Sequence, residues 1–582
     1  MSGFIPPARM GVPRSRKPIL LVIVVILALL LGGRLIWVQG LDAGGLAAEA
    51  RKERTVAKVI PAVRGDILDR SGATLATTVQ RYDVWVNQLQ VGQYLTSDRS
   101  AKEKGIPAAA KALAPVLGMS VDETQKALTG KRGFVYLKKS VTPDVRSAIT
   151  ALGIPGVGAD RVADRIYPAG SVAGNILGFM GDGGKALAGI EYSEDARLRG
   201  KDGRTTFERG AGGQQIPSAG QRTTPAVDGS SIELTINRDI QFEAQRQIQA
   251  AVKKAGAKGG SIVALDPKTG EVLALAEYPT YDPNRPGAAK PDDLRNGSIS
   301  NVFEPGSTGK LFTFAAAIDS GKASLNDRFT VPYTQKFNGN LIKDSHEHPV
   351  QRLTLAGVLQ NSSNVGTVQV AGKLTPATRY DYLRRFGLGQ RTGIELPGES
   401  AGIVHPVKDW TGRTLYTTTF GQGYAVTALQ VTSAVGTFAN DGVHVKPTVV
   451  RGVRQADGSV RPIEPRPQNR VISSAANATM VQLMDNDVPD DGKQNADVAN
   501  YAIAGKTGTA QVGDGTYTSS FIGFAPADRP SIVMGVFVYG VPSFIPGNTA
   551  AAPTFASMME FSLQNQRIPP TGKPGTVLKT TW

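Results

Sequence analysis

Near the start of the chain, the segment RSRKPILLVIVVILALLLGGRLIWVQG holds a run of mostly apolar residues, 19–38. About 20 such residues are enough to cross a bilayer as a helix. That run constrains the chain more than any other feature, because it fixes one element as a membrane span and sends everything after it to one side. Arg9, Arg14, Arg16 and Lys17 precede the run, while residues 39–50 hold no lysine or arginine. The positive-inside rule therefore puts the N-terminus in the cytoplasm and the rest outside. Arg34, toward the far end, can snorkel to the interface. A cleaved signal peptide is the alternative, but the apolar part is long and no A-x-A-like site directly follows it. An uncleaved single-pass anchor is expected.

With nearly the whole chain outside the cytoplasm, nucleic-acid and ATP roles fit poorly. The 582 residues are too many for one core, so at least two domains are expected. Lysine and arginine number 65 against 49 acids, a formal net charge of +16. That balance suits anionic lipid or an anionic wall polymer. The lack of cysteine excludes disulfides, thiol catalysis and Cys-bound zinc or iron–sulfur sites.

Residues 41 to about 55 read as a helix leaving the membrane. From there to about 221 the chain is a mosaic of short strands, turns and helices, with 108–117 and 121–128 as candidate helices. The Gly-rich stretch ERGAGGQQIPSAGQR, 208–222, has neither periodicity nor bulk and looks like a boundary. Beyond it a strand runs into an amphipathic helix at about 238–254. Two apolar runs around Asp266-Pro267-Lys268-Thr269-Gly270 signal a hairpin. Strands at both ends of this half, with two more in SSFIGFAPA and SIVMGVFVYG, enclose a helical middle. The order predicts an α+β fold, a mostly antiparallel sheet covered by helices. The last stretch, QRIPPTGKPGTVLKTTW, reads as a poorly specified tail.

Chemistry enters at FEPGSTGKLF, 303–312, where Ser307 and Lys310 stand three apart as an irregular stretch gives way to an apolar run. Pro305 and Gly306 suit the start of a helix, and KLFTFAAAI its buried continuation, so Ser307 belongs in the first turn. Positions i and i+3 share a face, which brings the amine within reach of the hydroxyl. Serine needs a base beside it to act as a nucleophile. Lysine can be that base only with a lowered pKa, and burial and the positive end of a helix dipole both lower it. Alone, the pattern reads as readily as an N-cap serine beside an unrelated lysine. Two further stretches change that. QNSSNVG, 360–366, offers Ser362 and Asn364, a hydroxyl and a carboxamide fit to be proton shuttle and amide clamp. YAIAGKTGTAQ, 501–511, is a strand with Lys506, Thr507, Gly508 and Thr509, a cation and hydroxyls beside a glycine that lets another backbone lie close. Ser-x-x-Lys, Ser-x-Asn and Lys-Thr-Gly-Thr follow in the order of the set, with Ser-Asp-Asn in the middle, of penicillin-binding proteins and class A β-lactamases.

The chain resembles a class B penicillin-binding protein, a monofunctional peptidoglycan D,D-transpeptidase, most like the division-specific type. The resemblance covers nearly its full length beyond the span and includes RGDILDRSGATLA (64–76), RIYPAGSVAGNILG (165–178) and GIEYSEDARLRGKDG (189–203). Read from residues alone, those three are turns with surface ion pairs. Asn175 stands where several relatives have His, and Asn237 where many have Asp.

The resemblance implies a serine β-lactamase-like transpeptidase domain at 222–565, preceded by a cytoplasmic tail at 1–17, the span at 18–38 and an elongated mixed α/β pedestal of dimerisation type at 39–221. A tail at 566–582 follows, with no added repeat domain after 565. It implies that Ser307 attacks a stem-peptide D-Ala-D-Ala amide, that Lys310 takes the proton, and that Ser362, in contact with Lys506, relays it to the leaving nitrogen. Backbone N–H groups of Ser307 and Thr509 form the oxyanion hole, Lys506, Thr507 and Thr509 with Gly508 receive the terminal carboxylate, and Asn364 binds a substrate amide. Strict strand alternation would put Lys506 opposite the two threonines. Implied partners are donor and acceptor stem peptides, β-lactams as covalent inhibitors, and a polytopic SEDS-type glycosyltransferase with other division proteins. No cofactor and no metal is expected, and His346-Glu347-His348 reads as a surface turn. FGQGYAVTALQ, 420–430, needs no more than a glycine turn before a helix. An elongation-specific homologue is the alternative within the class. A D,D-carboxypeptidase or β-lactamase uses the same motifs but needs neither anchor nor pedestal, and a β-lactam sensor would acylate without cross-linking.

Overall fold

The computed structural model describes residues 17–41, 48, 52, 54–95, 104–208, 221–463, 467–488, 495–572 and 575–582. Most of the expected cytoplasmic tail, of the helix expected over 41–55 and of the Gly-rich stretch at 208–222 lies outside them. The chain divides into two compact units, one reaching to Ala62 and including Lys201–Val227, the other made of Val63–Gly200 and Asp228–Trp582.

In the first unit the helix Lys17–Ile36 carries its leucines, isoleucines and valines exposed along its length, and it is long and apolar enough to cross a membrane. The same unit holds an antiparallel sheet in the order Thr55–Ile60, Gly203–Glu208, Arg222–Thr224.

The second unit is built on a five-stranded sheet: β1 (Gly259–Leu265), β2 (Val272–Tyr278), β3 (Ala504–Gln511), β4 (Tyr517–Ala525) and β5 (Ile532–Val541), in the order β2-β1-β5-β4-β3 with every pair antiparallel. The β1–β2 hairpin turns where the sequence signals it, with Asp266 Oδ1 accepting the Lys268 N–H at 2.8 Å. Helices Arg238–Ala255 and Ala552–Asn565 cover one face. Ala428–Ala439, all of whose residues are buried, covers the other, with Lys310–Asp319 in the same core. Helices apolar all round belong inside a core, and this one places Lys310 there.

Strand Ile232–Leu234 joins a second sheet, pairing in parallel with Ile67–Leu68 and antiparallel with Val450–Arg454. The long strand Thr74–Val86 continues that sheet and pairs with both Val135–Val141 and Val157–Ile166. The three stretches that read as turns with surface ion pairs meet here in a buried cluster. Arg64 Nε lies 2.6 Å from Glu191 Oε2, Arg165 Nε 2.7 Å from Glu191 Oε1, and Arg64 Nη1 2.6 Å from Asp195 Oδ1. Glu191 is fully buried. Arg64 lies 127 and 131 residues from Glu191 and Asp195, and Arg165 lies 26 from Glu191, too far for a local pattern to show them.

Asn237 and Asn175 both donate through their side-chain amides. Asn237 Oδ1 caps the Arg238–Ala255 helix, and its Nδ2 donates to Asn565 Oδ1 at 2.9 Å, which an aspartate could not do. Asn175 Nδ2 donates to the carbonyls of Asp293 and Arg295 at 2.9 and 2.8 Å. The segment read as a loose tail is docked: the Thr354 N–H donates to Thr580 O at 3.0 Å, and the Leu578 N–H to Asn486 Oδ1 at 2.7 Å. Backbone bonds hold it, and these leave no mark in composition.

Candidate active site

Ser307 lies in a 3-10 turn, Gly306–Gly309, and the α-helix begins only at Lys310. The sequence suggested an α-helical first turn. Gly306 takes φ +56, a conformation L side chains avoid, and the tighter turn follows it. In a 3-10 turn residues i and i+3 eclipse, so Lys310 stands over Ser307 with Nζ 3.1 Å from Oγ.

Two close approaches grip this turn. A Cβ on Gly508 would come within 2.4 Å of Ser520 Oγ and 3.0 Å of Pro305 O, and one on Gly421 within 1.9 Å of Gly306 O. Gly508 therefore faces the Ser307 turn rather than the cleft. The segment that needed no more than a glycine turn before a helix forms a wall of the site, with Phe420 and Gln422 lining a cleft of about 270 Å³.

Ser362 stands at the corner between helices Leu355–Gln360 and Asn364–Ala371 with φ +51. That conformation costs a serine on the order of 1–2 kcal/mol. It turns both polar groups of Ser362 to Lys310: Nζ donates to the carbonyl and lies 3.1 Å from Oγ. Asn364 and Val365 donate their N–H groups to Asp344 Oδ1 at 2.6 and 2.9 Å, and Asn364 Nδ2 donates to Lys343 O at 3.1 Å. Asp344 Oδ2 lies 3.1 Å from His348 Nε2, while His346 borders the cleft.

Lys310 is fully buried, and its hydrogen-bond neighbours are two hydroxyls and a carbonyl. Burial first, and the Lys506 cation second, bring its pKa down to about 7, against the opposing pull of Asp344 and Asp487. A neutral amine has two N–H donors and one lone pair. Two donors on Ser362 leave the lone pair for the Ser307 hydroxyl proton.

Lys506, on the edge strand β3, is equally buried but paired, with Nζ 3.1 Å from Asp487 Oδ2 and each side chain 1% exposed. Burial raises Asp487 to about 6, while the charges of Lys506 and Lys310 hold it down. Thr507 and Thr509 are half-buried and Lys506 is buried, the alternation a strand requires, yet all three line the cleft. The hydrogen bonds of Ser362 run to Lys310 and those of Lys506 to Asp487, so the implied Ser362–Lys506 contact is not drawn as a bond. Thr509 Oγ1 accepts the Gly547 N–H at 3.2 Å. Sequence reasoning missed Asp487 and Asp344. The one available signal for Asp487 was the rule that a buried lysine on a strand demands a counter-charge.

A sequence model described as "Penicillin binding protein transpeptidase domain" matches residues 260–560, and one described as "Penicillin-binding Protein dimerisation domain" matches 59–234. The chain belongs to the class B penicillin-binding proteins. It is similar to penicillin-binding protein PbpB of Mycolicibacterium smegmatis, 37% identical over 572 residues that cover 92% of this chain and 88% of the relative. Peptidoglycan D,D-transpeptidase FtsI of Escherichia coli is 32% identical over 562 residues, 94% of this chain and 91% of the relative. Among solved structures, penicillin binding protein 3 of Mycobacterium tuberculosis complexed with aztreonam is 32% identical, with a TM-score of 0.68, covering 90% of this chain and 100% of that one. In this class B penicillin-binding protein every candidate residue falls inside the transpeptidase match, and Arg64, Arg165 and Glu191 fall inside the dimerisation match.

Proposed function

We propose that this chain is a membrane-anchored D,D-transpeptidase of the division-specific type, which cross-links peptidoglycan stem peptides at the septum through a serine acyl-enzyme. The Lys310 amine carries the reading: fully buried, hydrogen-bonded to no carboxylate among the described residues, and 3.1 Å from the hydroxyls of both Ser307 and Ser362. Ser307 Oγ attacks the D-Ala-D-Ala carbonyl carbon while its proton passes to neutral Lys310. The proton moves through Ser362 Oγ to the leaving nitrogen, the C–N bond breaks and D-alanine departs. An amine of a second stem peptide then attacks the ester, forming the cross-link and restoring Ser307. Lys506, paired with Asp487 at 3.1 Å, receives the donor's terminal carboxylate with Thr507 and Thr509. Asn364 takes a substrate amide, and the N–H groups of Ser307 and Thr509 stabilise the oxyanion. Gly508 serves this site by letting the Ser307 turn pack against β3.

In this reading residues 18–38 span the membrane with the N-terminus in the cytoplasm, 39–221 form the pedestal and 222–565 the transpeptidase domain. A polytopic SEDS-type glycosyltransferase supplies uncross-linked glycan beside it. The test is labelling with fluorescent penicillin, whose strained amide stands in for D-Ala-D-Ala. Label on Ser307, lost in Ser307→Ala, is expected; stoichiometric labelling of Ser307→Ala would remove the nucleophile and with it the mechanism.

A further inference from the structure

None of residues 575–582 is buried, and Val577 is 93% exposed. A segment of this kind adds little apolar burial to the fold. Its backbone groups and its indole nevertheless fasten it at two places, and each place leads directly to the candidate active site. At the first, Leu353 and Thr581 form an antiparallel bridge, so the segment lies along strand Gln351–Thr354, which pairs in turn with Arg328–Val331. The Thr354 N–H donates to Thr580 O at 3.0 Å, and Thr354 Oγ1 donates to Lys579 O at 2.6 Å. A Cβ on Gly357 would come within 1.9 Å of Thr580 O, so this backbone rests against the first turn of helix Leu355–Gln360. The Trp582 N–H donates to Arg352 O at 3.2 Å and its Nε1 to Phe329 O at 3.3 Å, while Arg328 and Arg352 each lie 5.4 Å from its ring.

Thr354 is the cap of helix Leu355–Gln360, and Ser362 stands two residues past that helix. Six helical residues span about 9 Å, so a shift at Thr354 is carried to Ser362 through one rigid turn and a half. At the second place the Thr576 N–H donates to Asp485 Oδ2 at 2.6 Å and the Leu578 N–H to Asn486 Oδ1 at 2.7 Å. These two residues directly precede Asp487, the partner of Lys506. Gln360 Nε2 donates to Asn486 O at 3.2 Å, which ties the two places to each other. No residue of 575–582 lines the cleft. The Ser362 hydroxyl already lies 3.1 Å from Lys310 Nζ, toward the long end of the hydrogen-bond range. A shift of about 1 Å in a reacting group can cost about 10²-fold in rate.

We propose that residues 575–582 are a positioning element for acylation: a strand that pins the helix entering Ser362 and the residues ahead of Asp487 to one backbone, keeping Ser362 on Lys310 and Asp487 on Lys506. The inference rests on the transpeptidase reading and deepens it. The segment acts through the residues it holds, so its loss should show in the rate of the chemical step before it shows in the stability of the fold.

The chain lacking residues 575–582 is compared with the unaltered chain in detergent, by thermal melting and by stopped-flow acylation with a chromogenic cephalosporin, before and after addition of the synthetic peptide GTVLKTTW. Truncation should slow acylation per folded molecule by about tenfold to a hundredfold, with the melting temperature lowered by only a few degrees. The peptide should restore the rate with a saturable dependence on its concentration. A brace of the fold alone would leave the folded molecules acylating at the full rate. That full rate in the truncated chain overturns the proposal, and so does a peptide whose binding, read by fluorescence anisotropy of a labelled copy, restores nothing. If the truncated chain does not fold or the peptide does not bind, Leu578→Pro and Leu578→Val decide in the intact chain. Proline removes the N–H donated to Asn486 and valine keeps it, so only the proline variant should be slowed, and equal rates overturn the proposal. Throughout, fluorescent-penicillin label on Ser307 of the unaltered protein leaves the transpeptidase reading standing. Loss of that label would sink the reading instead.

Discussion

Glu191 of the dimerisation region and Lys310 of the transpeptidase region are both fully buried ionisable groups, but their surroundings differ. Each carboxylate oxygen of Glu191 meets an arginine, Arg64 at 2.6 Å or Arg165 at 2.7 Å, and Arg64 Nη2 donates to the Glu191 carbonyl at 2.7 Å. Lys310 meets hydroxyls and a carbonyl, and gives up charge instead, with its pKa brought to about 7. Burying an ion costs several kcal/mol. Full pairing offsets that cost and yields a rigid joint between segments far apart in sequence. Withholding the counter-charge yields a lysine that accepts a proton at neutral pH. Lys506 stands between the two, paired with one carboxylate and 1% exposed.

The contrast breaks if the two residues respond alike. Lys310→Ala should cut the acylation rate about 10² to 10⁴-fold, the usual contribution of a positioned base, and leave the melting temperature unchanged or higher, because alanine suits a helix and removes a buried amine. Glu191→Gln should do the reverse, costing about 3–5 kcal/mol of stability while acylation per folded molecule holds. Thermal melts beside stopped-flow acylation by a chromogenic cephalosporin read both. A Lys310→Ala protein that acylates normally, or a Glu191→Gln protein of full stability, would end the distinction.

The pH profile sharpens it. The base form of Lys310 exists above its pKa, so acylation should rise with pH by about tenfold per unit below about 7 and level off above it. Below about 6 Asp487 takes up a proton as well, Lys506 loses its counter-charge, and the decline should steepen. A rate constant flat from about pH 5.5 to 8.5 would contradict the assignment.

Asp487→Asn tests the intermediate case. It leaves Lys506 buried beside a neutral amide, so acylation by a carboxylate-bearing β-lactam should fall by about tenfold, together with a loss of stability. Loss of stability alone would make the pair structural, like Glu191 with its arginines. The smallest effect is expected at Asn237→Asp, which keeps the helix cap but loses the donor to Asn565, for about 1 kcal/mol or less in denaturant unfolding.

What the sequence made legible follows the same division. Ser307, Lys310, Ser362 and Lys506 could be picked out because each sits in a short pattern whose chemistry is local, and the hairpin at Asp266–Gly270 because turn residues are local too. Asp487 and the Arg64–Glu191–Arg165 cluster could not, because nothing near a residue in the chain announces a partner the fold brings from afar. Gly421 shows why patterns mislead: a glycine turn before a helix is a sufficient reading until Gly306 O is found where its Cβ would be. The tail that ends at Trp582 carries no periodic pattern, yet Thr354 and Asn486 hold it through backbone groups.

The most direct measurement is acylation of Lys310→Arg at pH 7 by stopped flow, with folding confirmed by melting. Arginine keeps a positive charge at this position but cannot give up its proton. If Lys310 acts as a neutral base, the variant should be slowed by about 10² or more, no better than Lys310→Ala. Acylation within a few-fold of the unaltered protein would contradict the claim, showing that the site needs a cation at Lys310 rather than a base, with Ser307 still the nucleophile.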